Sequence, residues 1–277
     1  MRVVVSGLSL AAVKATRLRE VERIRLERDG VRENRRFFVV DERGRMISAK
    51  RIGSLQTIVA DYSDDDRILS LTFPDGRLVT DRVRLGEPID AHFFSRAVRV
   101  PLVQGPWSEA ISELAGQPLR LVESDRACGA VDRGDDGTVS LISRASLARL
   151  AEQAGRSGID SRRFRMLIEI DGVPAHTEDE WVGGCVAIGS ARVTFKGHVG
   201  RCLITSRDPD SGIVDLPTLD LFGSYRSGLR TTEPLPFGVY GVVREPGTIS
   251  VGDEVVIGAD DRVREGGIDG HRYAPAS

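Results

Sequence analysis

The chain is expected to fold as a mainly β protein of α+β type. Three features predict this: 30 glycines among 277 residues, valine-rich runs of strand length with few aromatics, and recurrent Asp-Gly and Pro-Asp-Gly breaks that suit short strands joined by turns. Such a length supports one large or two ordinary domains with a sizeable buried core.

The first informative stretch is residues 18–26, where Leu18, Val21, Ile24 and Leu26 alternate imperfectly with charges. Strand is the better reading, because the next segments of the chain are plainly β. Phe37-Phe38-Val39-Val40 runs into Asp41-Glu42-Arg43-Gly44 and then Met46-Ile47, a hairpin whose glycine can take a positive φ. A second hairpin pairs residues 68–72 with Leu78-Val79 around Pro74-Asp75-Gly76. With a further strand over residues 55–60, these hairpins describe a small antiparallel, barrel-like domain over residues 1–105.

Two helices stand out against this background. Trp107, Ile111 and Leu114 share one face, opened by Pro106 and closed by Gly116 and Pro118. Leu147, Leu150, Ala151 and Ala154 repeat the helical period, with Ser143 or Ser146 as N-cap and Gly155 as the stop. Strand character returns at residues 166–170, 185–188, 191–195 and 251–257, while the Gly/Asp-rich residues 125–137 read as a loop. A second domain over residues 106–257 and a loose tail over residues 258–277 complete the expected organisation.

Composition excludes several functions. With 39 basic against 41 acidic residues and a formal charge of -2, no overall field collects polyanions, so nucleic acid is not an expected partner. No run approaches the ~20 apolar residues that span a bilayer. Residues 3–13 are broken by Ser6, Gly7 and Ser9 and precede no small-residue cleavage site, which argues against a signal segment. The three cysteines, Cys128, Cys185 and Cys202, have no CxxC spacing, which suits a reducing, cytoplasmic compartment without a zinc knuckle.

Chemistry concentrates at Gly197-His198-Val199-Gly200-Arg201-Cys202, where a thiol stands beside a guanidinium. A nearby cation favours the thiolate, which attacks electrophiles or ligates soft metals. A cysteine packed as a small apolar side chain is the competing reading. His198, four residues before Cys202, has no geometric reason to form a nucleophilic pair with it in extended backbone. His176-Thr177-Glu178 lacks the PCxxC half that zinc deaminases need, and His92, His176 and His271 read as surface or packing residues. Lys14, Arg35-Arg36 and Arg163-Phe164-Arg165 lie next to buried-strand signals, so each cation must reach water or meet an anion.

Arg201-Cys202-Leu203-Ile204-Thr205 followed by Asp208-Pro209-Asp210-Ser211-Gly212 resembles the RC-x-x-T…DP-x-[ST]-G signature of MOSC-domain proteins. Pro236-Phe237-Gly238-Val239-Tyr240 and the segment from Pro246 to Asp253 resemble the closing FG-x-Y…G-x-I-x-VGD, and Glu178-Asp179-Glu180-Trp181 falls where the family has similar residues. The N-terminal half is similar to the β-barrel domain that precedes MOSC in the amidoxime-reducing component and bacterial relatives. There YP-[IV]-KS is echoed by Ala11-Ala12-Val13-Lys14-Ala15, and GDRRW-x-VVD by the run from Glu33 to Asp41. The chain departs from the pattern at Ala15, Asn34, Leu167 and Gly200, mostly by deleting a hydrogen-bonding side chain.

The resemblance implies a second β-barrel, the MOSC domain, with a few short helices, and a Mo-molybdopterin cofactor. Cys202 becomes the catalytic residue and the ligand to molybdenum. Lys14, Arg35 and Arg165 would grip phosphate and pterin, as guanidinium forks and a compact ammonium suit anionic oxygens. Thr138 and Tyr240 would add polar contacts, and Arg201 would join the cofactor-binding set and bias Cys202 toward thiolate. The implied activity is an oxidoreductase removing oxygen from a small N-hydroxylated substrate in a two-electron step. Its electrons would come from a separate ferredoxin-, flavin- or cytochrome-type protein, since no C-x4-C-x2-C ferredoxin spacing occurs. The alternative is a non-catalytic module that carries the cofactor, or sulfur as a Cys202 persulfide.

Overall fold

Short apolar alternations dictate the N-terminal elements of the computed structural model, which describes residues 2–124 and 134–258. The expectations for residues 125–133, for Cys128 and for the tail beyond Gly258, including His271, lie outside these residues. Strands β1 (Val4–Leu10), β2 (Arg19–Glu20) and β3 (Arg23–Leu26) come first. β4 (Phe37–Val40) and β5 (Met46–Ile47) form the expected hairpin, with Gly44 at φ 74°. Leu55 lies in a 3-10 turn, Gly53–Thr57, and the strand expected there starts later, as β6 (Val59–Ser63). β6 pairs with β7 (Ile68–Thr72), which pairs with β8 (Leu78–Arg82) around Gly76 at φ 86°.

A long hairpin, β9 (Arg84–Phe93) and β10 (Arg96–Gln104), precedes α1 (Trp107–Ala115) and β11 (Arg120–Glu123). Motif reading assigns no element to β9 or β10, although Ile89, Ala91 and Phe93 alternate at the strand period. Helix α1 stops at Gly116, φ 68°, as its sequence demands. β11 pairs with β4 and β10, and Trp107 is buried with its Nε1 donating to the Leu69 carbonyl at 3.1 Å. Residues 107–123 therefore share the N-terminal core, although the expected boundary put them in the second domain.

The remaining elements are β12 (Val139–Ser143), α2 (Arg144–Gln153), β13 (Ile168–Asp171), β14 (Cys185–Ile188), β15 (Ala191–Gly200), α3 (Thr218–Tyr225), β16 (Pro236–Glu245), β17 (Gly247–Ser250) and β18 (Val255–Ile257). Ser143 is the N-cap of α2, its hydroxyl accepting from Ser146 N. Two expected strands shorten: Arg165 at φ 55° holds off β13 until Ile168, and the Val251-Gly252 turn holds off β18 until Val255. Helix α3 is an unpredicted element.

Sheet order is β18-β14-β15-β16-β12-β13-β1-β2. Val5 N bonds Asp253 O at 2.8 Å and Val255 N bonds Val3 O at 2.9 Å, so the sheet curls until β1 meets the chain entering β18. Leu8, Ile168, Val193, Phe195 and Val239 fill its core. The N-terminal strand thus completes the C-terminal sheet, and β3 pairs with β17. Among the described residues no helix is long and apolar enough to cross a membrane.

Candidate active site around Cys202

The segment after β1 runs alongside the entry to β4: Arg35 N bonds Ala11 O at 2.7 Å, Phe37 N bonds Ala12 O at 3.0 Å, and Lys14 N bonds Phe37 O at 2.7 Å. This pairing brings Lys14 and Arg35 together. Arg35 adopts φ 56° and Arg165 φ 55°, a left-handed conformation that costs a non-glycine residue ~1 kcal/mol or more and is held only where neighbours enforce it. Arg35 Nη2 donates to the Arg165 carbonyl at 3.2 Å, coupling the two turns. The Arg165 turn is itself capped by Asp160, whose carboxylate accepts from Arg162 N at 2.9 Å.

Cys202 leaves β15 in extended backbone and is exposed. Its carbonyl accepts from both Thr205 N at 3.1 Å and Thr205 Oγ1 at 3.0 Å, and Thr205 meets the buried Thr218 hydroxyl of α3 at 2.6 Å. The motif Asp208-Pro209-Asp210-Ser211-Gly212 comes next as a closed loop. Asp208 Oδ1 accepts from Asp210 N, Ser211 N and Ser211 Oγ at 3.1, 2.8 and 2.8 Å. Gly212, at φ 71°, has no room for a Cβ because the Gly53 carbonyl stands against it. Arg207 closes the seam, donating to Gly212 O at 2.6 Å and Lys50 O at 3.1 Å.

These segments enclose a cavity of about 280 Å³. Of the residues selected from sequence, Lys14, Arg35, Arg165, Arg201, Cys202 and Tyr240 line it. Thr138 instead lines a small adjoining cavity shared with Arg35 and Arg165, where its buried Oγ1 has no partner among the described residues. Among the described residues no carboxylate lines the main cavity, while five cationic side chains do, counting Lys50. Its field therefore favours an anion. Lys14 is buried, with Nζ 5.2 Å from the Phe93 ring centre and 5.6 Å from that of Phe94, positions that hold an ammonium by cation–π attraction.

Arg201, besides lining the cavity, holds its wall together. Its guanidinium donates through Nε to Phe237 O and through Nη1 to Phe164 O, each at 2.8 Å, and lies 5.4 Å from the Phe164 ring centre. It is a clasp for β16 and the Arg165 turn beside the thiol. Arg36 and Arg163, neighbours of the pocket cations in sequence, are spent on ion pairs with Glu123 and Asp215. Three departures from the family pattern, Asn34, Leu167 and Gly200, have local explanations, and nothing in the structure explains Ala15. Asn34 Oδ1 accepts from Ala11 N at 3.2 Å, Leu167 is in the barrel core, and Ala15 is buried at φ 78°. At Gly200 a side chain would meet Pro234 O at 3.0 Å and the Glu233 side chain at 3.1 Å. Ser48, Lys50, Phe94, Ser140 and Met166 also line the cavity, and no motif singles them out.

Neither histidine near the motif serves Cys202. His198 is buried beside Thr232, whose N donates to Nδ1 at 3.3 Å, and its Nε2 lies 4.0 Å from Asp179. Its Nδ1 is thus engaged by Thr232, and its Nε2 faces Asp179 beyond hydrogen-bond reach. His176 lies against Tyr225 and Phe237, each with ring centres 5.9 Å away, and neither ring nitrogen has a partner among the described residues. Burial lowers its pKa to about 4 from the ordinary 6.5, and burial also lowers that of His198. An unfolded chain therefore takes up these protons first, so both histidines cost stability as pH falls, and for His176 the loss runs from about pH 6.5 toward 4 at up to about 1.4 kcal/mol per pH unit. His176→Phe should fold as well as the parent at pH 7 and show a flatter acid slope in urea denaturation. An unchanged slope would mean that His176 takes no part in it.

Fold and site together define a β-barrel protein that presents an exposed thiol in a cation-lined cleft. Residues 129–256 match the family described as MOSC domain, and residues 2–101 match the MOSC N-terminal beta barrel domain. The chain is thus a MOSC-domain protein with the N-terminal MOSC β-barrel domain. It is 26% identical over 257 residues to mitochondrial amidoxime-reducing component 1 of Homo sapiens, covering 83% of this chain and 74% of that one. It is 29% identical over 259 residues to the same component of Mus musculus, with the same coverage. Among solved structures, the YUAD protein of Bacillus subtilis aligns with 92% of this chain and 94% of its own, at 12% identity and a TM-score of 0.44.

Proposed function

We propose that the chain is a molybdenum-cofactor-dependent reductase that removes oxygen from small N-hydroxylated compounds. The observation that carries this reading is an exposed Cys202 thiol opening onto one cavity to which, among the described residues, both halves of the chain contribute cations and no carboxylate does. The donor set fits the cofactor. A thiolate suits molybdenum, several guanidinium and ammonium groups suit an anionic pterin phosphate, and the Thr138 hydroxyl, without a partner among the described residues, offers a further polar contact nearby.

In this reading Lys14, Arg35 and Arg165 hold the anionic end and Cys202 ligates the metal. When bound, the cofactor supplies two-electron redox chemistry that amino-acid side chains lack. The chain orients it: Thr205 anchors the Cys202 carbonyl, Arg201 clasps β16 and the Arg165 turn, and the Arg35 to Arg165 bond fixes the spacing of the two turns. Electrons come from a separate ferredoxin-, flavin- or cytochrome-type protein, and a reducing, cytoplasmic compartment keeps Cys202 as a thiol.

Exposure of Cys202 also suits a sulfur carrier with a persulfide at that position. Molybdenum and pterin analysis of purified protein, with benzamidoxime reduction by an artificial donor, separates the two. Stoichiometric metal and pterin with turnover are expected. Metal-free protein carrying a persulfide would replace the reductase reading with the carrier.

A further inference from the structure

The residues lining the cavity divide by depth. Lys14 and Ala15 are buried, and Arg35, Arg165, Arg201 and Tyr240 are partly so, whereas among the described residues only three that line it are exposed: Lys50, Phe94 and Cys202. Whatever enters after the floor is filled meets these three groups first, an ammonium, an aromatic ring and the thiol.

The Lys50 backbone and the Phe94 ring are both held in place. Ala49 is fully buried, and the Lys50 carbonyl is held by Arg207, the residue that also grips Gly212 in the loop after Cys202. Phe94 sits at the β9–β10 tip with φ 54°, half exposed at 56%. Its ring packs edge to face against the buried Phe93, centres 5.2 Å apart, and covers the Lys14 ammonium. A ring so exposed gains by being covered with apolar surface, and another flat ring covers it most fully and adds the attraction of an aromatic pair. Lys50, at the same mouth, adds a positive charge, and no acidic residue among those described lines the cavity to compete for it.

We infer that this mouth selects planar aromatic substrates that carry an anionic group, the ring stacking on Phe94 and the anion meeting Lys50. The inference rests on the reductase reading for its choice of N-hydroxylated probe, but concerns binding and can fail separately.

Calorimetric titration of the cofactor-loaded protein without reductant tests it. 4-Carboxybenzamidoxime, benzamidoxime and acetamidoxime serve as ligands. The carboxylated ring is expected to bind about 3-fold more tightly than benzamidoxime, and benzamidoxime about 5-fold more tightly than acetamidoxime. Lys50→Gln should abolish the first preference and leave the second. Phe94→Ala should abolish the second, and Phe94→Trp should restore it. Equal affinities in the parent protein, no binding at all, or preferences that survive both substitutions would overturn the inference. So would Lys50→Gln protein purified with less pterin than the parent, since Lys50 would then belong to the cofactor. Selective binding without turnover when a donor is added would keep this inference and remove the reductase reading.

Discussion

Cys202→Ser protein is expected to lose molybdenum and to reduce benzamidoxime at least about 100-fold more slowly than the parent. Changes to residues that merely orient a metal ligand typically cost about 10–100-fold, so loss of the proposed ligand itself sets a higher floor. Serine preserves the size of the side chain, but its hydroxyl stays protonated near neutrality and is a hard donor, where a soft site uses thiolate. The fold should not notice. Cys202 is exposed, and its carbonyl, not its sulfur, receives the two bonds from Thr205. Stability should therefore stay within about 0.5 kcal/mol of the parent. Lys14→Gln and Arg165→Gln should instead lower pterin content with the thiol still titratable. A Cys202→Ser enzyme with parental turnover would remove the thiol from the chemistry.

The largest loss of stability is expected from Asp215→Ala, about 3 kcal/mol, read as a fall in Tm of roughly 6–12 °C. Arg163 is buried, with both terminal nitrogens 2.7 Å from the two Asp215 oxygens. Without Asp215, Asp208 at 3.6 Å is the carboxylate left to it among the described residues to balance a charge that cannot reach water. Arg163→Met should cost less, because the Asp215 carboxylate is about one-third exposed and retains Arg156 at 3.5 Å. Hydrogen bonds from Arg163 hold the Asp215 carboxyl below the usual carboxylate range. The contribution is therefore complete above the ordinary aspartate pKa and fades as pH falls below it. Paired thermal melts at pH 7 decide the matter: the opposite order, Arg163→Met worse than Asp215→Ala, would show that the buried charge is not what makes the pair costly to break.

The loop bound by this pair shows how much could be read before folding. Asp208, Ser211 and Gly212 form a turn from their own side chains and φ angles, so the local chemistry was legible. That the turn stands against Gly53 and is clamped by Arg17 and Arg162 was not, because those partners come from distant segments. The same holds for the cations: nothing local distinguishes Arg35 from Arg36 or Arg165 from Arg163. Their parts were separated by where Glu123 and Asp215 arrive, and by the left-handed backbone at Arg35 and Arg165.

By itself the sequence determined the β class, the hairpins at Gly44 and Gly76, both long-period helices and the thiol motif. Each depends on interactions within a few residues, which turn geometry and periodicity capture. Tertiary structure alone decided that β1 completes the C-terminal sheet, that α1 and β11 join the N-terminal core, that Arg201 clasps carbonyls, and that Lys50 and Phe94 stand at the mouth beside Cys202. Those outcomes rest on which buried charges find partners and which strands close a barrel. Both are settled between residues far apart in the chain, where sequence spacing carries no distance.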